Sequence, residues 1–169
     1  RMGLLTGTAI GNDVKFDESK IKGYKHFANK IWNITRFILE NTDGVDPSAE
    51  VTRTKVDSQI EARLNELVSE VTDDYENYRL HLAAEKIYHY VWHEVADVIL
   101  EESKSILQSE DQTAKLSRQV TLRHILHTSL KLLHPLMPFV TEEIWQSLPE
   151  KQKDMLMVAK WPSRTLSIR

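Results

Sequence analysis

The sequence contains no cysteine, which excludes disulfide bonds and cysteine-ligated zinc and fits a cytosolic protein. No run approaches the roughly 18 apolar residues of a membrane-spanning helix, and no basic segment precedes an apolar one at the N-terminus. We therefore predict a cytoplasmic protein without a transmembrane helix or signal peptide. Glycine and proline are scarce, with five of each in 169 residues, and so few helix breakers favour an all-α protein.

Apolar residues recur every three or four positions along four segments, which is the spacing of one buried face on an α-helix. The first predicted helix begins after Asp17, whose carboxylate suits an N-cap, and ends near Asn41. Three further long helices are predicted over 54–78, 82–107 and 113–134. In the third of the four helices, five residues are predicted to face the core: Ile87, Val91, Val95, Val98 and Ile99. Four long amphipathic helices with short loops predict a helical bundle.

Short segments flank these helices. Residues 1–10 have the pattern of the end of a helix, which Gly11 would stop because glycine tolerates the left-handed conformation. A short C-terminal helix, capped by Thr141 and ending at Leu148, is predicted to precede an extended tail. We therefore divide the chain into a helix end (1–13), a bundle of four long helices plus the short helix (14–149) and the tail (150–169).

Charge is distributed unevenly, although the whole chain carries a net charge of only −3. Residues 57–111 hold 14 acidic and 4 basic side chains, a net charge of −10, and the rest of the chain carries +7. Residues 19–39 contain five basic side chains and no acidic one, and residues 112–141 contain four and none. Either the oppositely charged helices pair with each other, or the basic helices form a face that binds a polyanion.

The first long helix carries a set of polar residues that we call the donor stripe: Lys22, His26, Asn29, Asn33 and Arg36. Their spacing of four, three, four and three places them on one face, and every one of them can donate a hydrogen bond. Asparagine is a mediocre helix former, and a merely solvated face would more often carry Glu and Lys. Asn and Arg suit the recognition of base edges and phosphates. The alternative is that Asn29 and Asn33 bridge helices inside the core.

The sequence lacks any recognisable catalytic motif. It has no phosphate-binding glycine loop, no nucleophile elbow and no credible triad, and we interpret His89 and His93 as a chance pair rather than as metal ligands. Trp92 and Trp145 are predicted core residues. An exposed aromatic side chain beside the donor stripe would be a candidate to stack on an unpaired base.

Four stretches follow one another along essentially the whole chain: GNDVKFDESKIKGYKHFANKIWNITRFIL, YHYVWHEVADVILEESK, HPLMPFVTEEIWQ and LMVAKWP. Together they strongly resemble the anticodon-binding domain of valine–tRNA synthetases, which are class I aminoacyl-tRNA synthetases. The Asn-Lys-x-Trp-Asn core of the first stretch favours the valine enzymes over the related isoleucine enzymes. Ala96 stands where the family often has Cys, and Val98 and Ile99 stand where it often has aromatic residues. The residues at these three positions are all apolar, so we expect the core to be packed differently and to keep the same role.

The resemblance implies a helical bundle that follows a catalytic domain and binds the anticodon stem and loop of a valine tRNA. Residues 1–13 would then lie at the junction with that catalytic domain of the same chain. ATP and Mg²⁺ would be used by the catalytic domain, and this segment would hold no catalytic residue, metal or cofactor of its own. We expect a monomer that makes no contact with a membrane.

The resemblance and the donor stripe together predict the RNA-binding residues. Four basic side chains are expected to contact phosphates of the anticodon arm: Lys22, Lys25, Lys30 and Arg36. Asn33 and Arg36 are expected to contact a base or sugar, because the related methionine enzymes place an Asn and an Arg on this helix. In those enzymes the two residues are four positions apart, whereas here they are three apart. His26 and Asn29 are expected to make further contacts.

The fourth helix is expected to contribute two more RNA-binding residues, Arg118 and Arg123, which would complete the basic face. Two alternatives remain. The segment could belong to a sister enzyme, specific for isoleucine or leucine, or it could be a protein-interaction bundle whose basic helix meets an acidic partner.

Overall fold

The computed structural model describes residues 1–7, 17–46, 51–149 and 154–163. Within these ranges the chain is helical and forms no strand, which confirms the all-α fold class. The elements in chain order are α1 (Met2–Leu5), α2 (Glu18–Asn41), α3 (Lys55–Glu76), α4 (Leu80–His89), a π-helical segment (Tyr90–Ile99), α5 (Leu100–Leu107), α6 (Gln112–Leu133), α7 (Pro138–Ser147) and a 3₁₀ turn (Leu156–Val158).

The long helices begin at side chains that accept hydrogen bonds from otherwise free first-turn amides. Asp17 caps α2 as predicted, with its carboxylate accepting a 2.8 Å hydrogen bond from the Ser19 amide. The side chain of Ser19 and then its amide lower the pKa of Asp17. Thr54 caps α3 by accepting a 3.1 Å hydrogen bond from the amide of Asp57. Asp111 caps α6. These caps fix the starts of the three longest helices.

The third predicted helix is one continuous rod whose middle is π-helical. The predicted range 82–107 corresponds to α4, the π-helical segment and α5 in succession. A π-helix bonds each residue to the fifth one along and is wider than an α-helix, so residues on one face recur every four or five positions. Accordingly Val91 and Ala96 are buried, as are Val95 and Leu100. The prediction that Val98 faces the core is wrong, since its side chain is 48% exposed.

Two boundaries also differ from the predicted ones. Helix α1 ends at Leu5, and the chain turns at Gly7, whose φ of 68° favours glycine; the predicted stop at Gly11 lies outside the described residues. Helix α7 begins at Pro138, because proline is preorganised for the first turn of a helix, so Thr141 is not its cap. The Thr141 hydroxyl instead donates to the Met137 carbonyl at 2.9 Å. Within its described residues, 154–163, the tail contains a 3₁₀ turn.

Helix α6 forms the centre of the bundle. Thirteen of its 22 residues are buried, which requires neighbours on nearly every side, and it packs against α2, α3, α4, α5 and α7. Ser117, Thr121 and Thr128 are among the buried residues, and small hydroxyl side chains let neighbouring helices approach closely. Because α6 is enclosed, α2 and α3 both lie on its outside and pack against it with their apolar faces.

A buried ion pair joins α6 to α3. The Arg118 guanidinium donates from Nε to the Asp57 carboxylate at 2.5 Å, and both side chains are almost fully inaccessible. The hydroxyls of Thr54 and Ser117 also donate to this carboxylate, at 2.8 and 2.6 Å. Arg118 donates in addition to the Ser103 hydroxyl at 3.1 Å, which links α5 to the same cluster. Three helices therefore meet at one neutralised pair of charges.

We predict that Arg118→Ala destabilises the protein by about 3–5 kcal/mol, because the Asp57 charge would stay buried without its partner. Urea unfolding followed by circular dichroism measures the change in the free energy of unfolding. Lys104→Ala is the matched control, since Lys104 pairs with Glu101 on the surface, and it should change stability by less than about 1 kcal/mol. Equal effects of the two variants would contradict the structural role of the buried pair.

His127 occupies a half-buried position on α6, 5.5 Å from the Trp145 ring between centroids. Burial disfavours its charged form, and the nearby charges of Arg123, Lys131 and His124 act in the same direction. Together they lower the pKa of His127 to about 4. The neutral imidazole is therefore part of the native packing at physiological pH.

Lowering the pH should destabilise the protein through His127. Between pH 6.5 and about 4 the unfolded chain binds a proton at this side chain and the native protein does not. The stability contributed by neutral His127 is therefore complete above pH 6.5 and declines towards pH 4, by at most about 1.4 kcal/mol per pH unit. Urea unfolding across this range should show that the free energy of unfolding declines more steeply with falling pH for the native sequence than for His127→Gln. Equal slopes would refute the attribution of this decline to His127.

Candidate nucleic-acid interface

The donor stripe lies entirely on the exposed side of α2. All five of its side chains are exposed, as is that of Lys25 beside them. The opposite side of the helix buries Phe27, Ile31, Ile34, Thr35 and Ile38. Asn29 and Asn33 therefore do not bridge helices inside the core, and the alternative structural role for them is wrong. The stripe runs about 20 Å along the helix, given the rise of about 1.5 Å per residue.

The stripe is almost free of competing interactions. Arg36 lies 3.9 Å from the Glu40 carboxylate, and since both side chains are about 70% exposed this pair contributes little. Across the ranges that the structure covers, the other four stripe side chains and Lys25 make no hydrogen bond or ion pair. Their donors therefore point to solvent and are available to a ligand.

Lys30 lies at the edge of this surface and is already engaged. Its ammonium group is 3.1 Å from the Asp97 carboxylate and 5.3 Å from the centre of the Trp92 ring. These contacts attach α2 to the π-helical segment by an ion pair and a cation–π interaction. Lys30 is therefore half-buried. Asp97 partly neutralises its charge, whereas Lys22 and Lys25 have no such partner among the described residues.

The prediction that α6 extends the basic face is wrong. Arg118 is fully buried in its pair with Asp57, and Arg123 is only 2% exposed. Burial lowers the pKa of Arg123, although the charge of Asp43 partly opposes this effect. Both residues lie in the interior because α6 is the central helix, so neither can reach a phosphate outside the protein. The candidate surface thus consists of α2 alone.

Several carboxylates of the acidic helices pair with cations of the same part of the chain, while Asp57 and Glu61 pair with Arg118 and Arg53. Arg63 forms hydrogen bonds with Glu94 at 3.1 Å, and the pKa of Arg63 is raised by this contact. Asp74 accepts from Lys86 and Arg79, at 2.7 and 2.8 Å. Burial alone would raise the pKa of Asp74, but these two hydrogen bonds outweigh it and hold the pKa below its usual value. Among described residues Lys30–Asp97 is the one ion pair between α2 and the acidic segment, so helix pairing does not explain the basic stripe.

The exposed histidines near this surface lie against carboxylates. His89 and His93 lie 3.6 and 3.4 Å from the carboxylates of Glu94 and Asp97, with which they form exposed contacts. Over the ranges searched, no three His, Asp or Glu side chains cluster as metal ligands would. The same ranges contain no helix with the length and apolar character needed to cross a membrane. The chemistry available on α2 is hydrogen-bond donation and positive charge.

Comparison with known proteins places this arrangement in a family. The family described as anticodon-binding domain of tRNA ligase matches residues 57–168, about two thirds of the chain. The chain therefore belongs to the anticodon-binding domains of tRNA ligases, which confirms the resemblance noted from its motifs. The matched region comprises α3 to the tail, which is the part of the bundle that supports α2.

The similar proteins are valine–tRNA ligases. The sequence is 42% identical over 162 residues to that of Thermotoga maritima, 41% over 164 residues to that of Carboxydothermus hydrogenoformans and 40% over 165 residues to that of Clostridium tetani. Each comparison covers 96% of this chain and therefore includes most of α2. The chain spans only about a fifth of these relatives, 18–19% of their length.

Replacing the stripe asparagines should leave the fold intact. We predict that Asn29→Ala and Asn33→Ala change the free energy of unfolding by less than about 0.5 kcal/mol, or raise it slightly, because alanine is the better helix former. The matched control is Ile34→Ala, next to Asn33 on the buried side, which should cost about 2–5 kcal/mol. Urea unfolding measures all three, and a loss above about 1 kcal/mol in either asparagine variant would contradict the exposed placement.

Proposed function

We propose that this segment binds the anticodon stem and loop of a valine tRNA as part of a valine–tRNA ligase. The observation that carries the proposal is the exposed donor stripe on α2, which has five hydrogen-bond-donating side chains and no carboxylate among residues 19–39. A polyanion matches such a surface, and the family membership identifies that polyanion as tRNA. The valine specificity rests on the names of the similar proteins.

The stripe supplies two kinds of contact. Lys22 and Lys25, both exposed near the start of α2, would hold phosphates of the anticodon arm, with Lys30 contributing from the edge. Asn33 and Arg36 would hydrogen-bond to bases or sugars in the single-stranded loop, where the Watson–Crick edges are open. His26 and Asn29 lie between these two groups and would contact the part of the RNA backbone that passes over them.

The chemistry of aminoacylation would take place elsewhere in the ligase. A catalytic domain of the same chain would use ATP and Mg²⁺ to activate valine, and the present segment would act as a monomer that positions the tRNA in the cytoplasm. No cofactor is proposed for this segment itself. An isoleucine or leucine enzyme is the alternative assignment. The sequence identity of about 40% to valine enzymes favours the valine enzyme.

A protein partner is the competing proposal for the same surface, since an acidic protein would also match a basic stripe. A gel-shift comparison separates the two. The anticodon hairpin of a valine tRNA should bind more tightly than a hairpin with a scrambled loop, and binding should weaken as salt rises because counterions are released. The absence of any preference between the hairpins would favour the protein partner.

Arg36→Ala should weaken binding of the anticodon hairpin by about 1–3 kcal/mol, or roughly 5- to 150-fold in Kd, if the guanidinium contacts a base. Asn33→Ala should have an effect of similar size, whereas Lys22→Ala should weaken binding of all hairpins alike and lower the salt dependence. Filter binding at fixed salt measures these constants. Lys104→Ala on the distant helix α5 is the control and should bind as the native sequence does. An unchanged Kd in the Arg36→Ala, Asn33→Ala double variant would overturn the site assignment.

A further inference from the structure

Three of the four tryptophans have clear packing partners. Trp92 stacks on Tyr88 and Phe27, with ring centroids 5.6 and 6.0 Å apart. Trp145 is 3% exposed, and its indole nitrogen donates to the Asp154 carbonyl at 3.3 Å. Both were predicted to be core residues; Trp145 is confirmed as one, whereas Trp92 is half-buried and packs against the edge of the core. Trp161 lies edge-on to Tyr75 at 5.5 Å and donates to the Thr72 hydroxyl at 2.9 Å.

Trp32 is the exception. Its side chain is 40% exposed, about the same as the 39% of Trp161. Yet within the described parts of the chain no aromatic ring or cation lies against it, and its indole N–H donates to no acceptor. The exposed part of this large aromatic surface gains nothing from folding, because it stays in water. Trp32 therefore needs another explanation.

The position of Trp32 on α2 supplies one. Asn29 lies three residues before it and Arg36 four residues after it, and side chains at these spacings are neighbours on a helix surface. The indole thus flanks the middle of the donor stripe, between an amide and a guanidinium that both reach solvent. An aromatic plane bordered by hydrogen-bond donors is the combination that binds an unpaired base, since the ring stacks on the base while the donors meet its edge or phosphate.

We infer that Trp32 is a stacking platform for one unpaired base of the RNA loop that the donor stripe binds. The inference rests on the proposed function and deepens it by naming the aromatic residue at that site and the class of ligand, a single-stranded nucleobase. Every base has a π-face, so the platform adds affinity without selecting a particular base. The hydrogen-bond donors of the stripe beside Trp32 select the base.

The test uses the anticodon hairpin of a valine tRNA with the fluorescent base 2-aminopurine placed at one loop position at a time. For at least one position, binding should quench the fluorescence through stacking on Trp32. Trp32→Leu should abolish this quenching and weaken binding on the order of 5- to 100-fold, while Trp32→Phe should retain most of both. Trp161→Leu, equally exposed but away from the stripe, should behave as the native protein.

The outcomes separate the inference from the proposed function. If the native chain binds the hairpin and Trp32→Leu neither loses quenching nor weakens binding, the stacking role is overturned and the RNA-binding role stands. If the native chain does not prefer the hairpin, the proposed function itself fails. Circular dichroism of each variant verifies folding. The leucine variant should fold, because leucine keeps an apolar side chain at this position and no hydrogen bond of Trp32 is lost among the described residues. Loss of quenching in Trp32→Leu together with retention in Trp32→Phe supports the inference.

Discussion

A charge taken out of water must be neutralised where it lies, and the Arg118–Asp57 pair meets this requirement at the centre of the bundle. Only one register of α6 against α3 brings the guanidinium to the carboxylate, and the Ser103 hydroxyl extends the same constraint to α5. With α6 fixed and enclosed, α2 buries its apolar face against α6 and the adjoining π-helical segment. The polar side of α2 is then exposed as a consequence of the packing at the centre.

This arrangement separates folding from recognition. The residues that hold α2 in place lie on one side of the helix, and the residues offered to a ligand lie on the other. Substitutions on the exposed side should therefore alter binding with little effect on stability. The acidic helices draw little on α2, because Arg63, Arg79 and Lys86 pair with several of their carboxylates, and Arg118 and Arg53 pair with Asp57 and Glu61. The cations of α2 are left largely uncommitted.

Periodicity in the sequence was enough to predict the part of the site that lies on α2. The spacing of its apolar residues located the buried face, and the cap at Asp17 located the start, because both depend on neighbours within the same helix.

Val98 was misplaced because a switch to π-helical bonding changes the spacing without any signal in single residues. Arg118 was misplaced because its partner is 61 positions away, and an arginine on a predicted helix normally faces water. The run of buried serines and threonines in α6 is the signal that could have indicated a central helix. The exposure of Trp32 could not be predicted, since it depends on what the rest of the bundle leaves uncovered.

The uneven distribution of charge has a consequence for how the protein meets its ligand. With a net charge of −3, the molecule as a whole is weakly repelled by a polyanion, yet α2 and the acidic helix α3 both pack on α6 rather than on each other. An approaching polyanion is attracted by α2 and repelled by the acidic helices, which favours rotation of α2 towards it. Because screening limits such fields to about 8 Å at physiological salt, this rotation occurs only in the last step before contact. The acidic helices thus repel a polyanion that meets the wrong side, which makes such unproductive collisions short-lived.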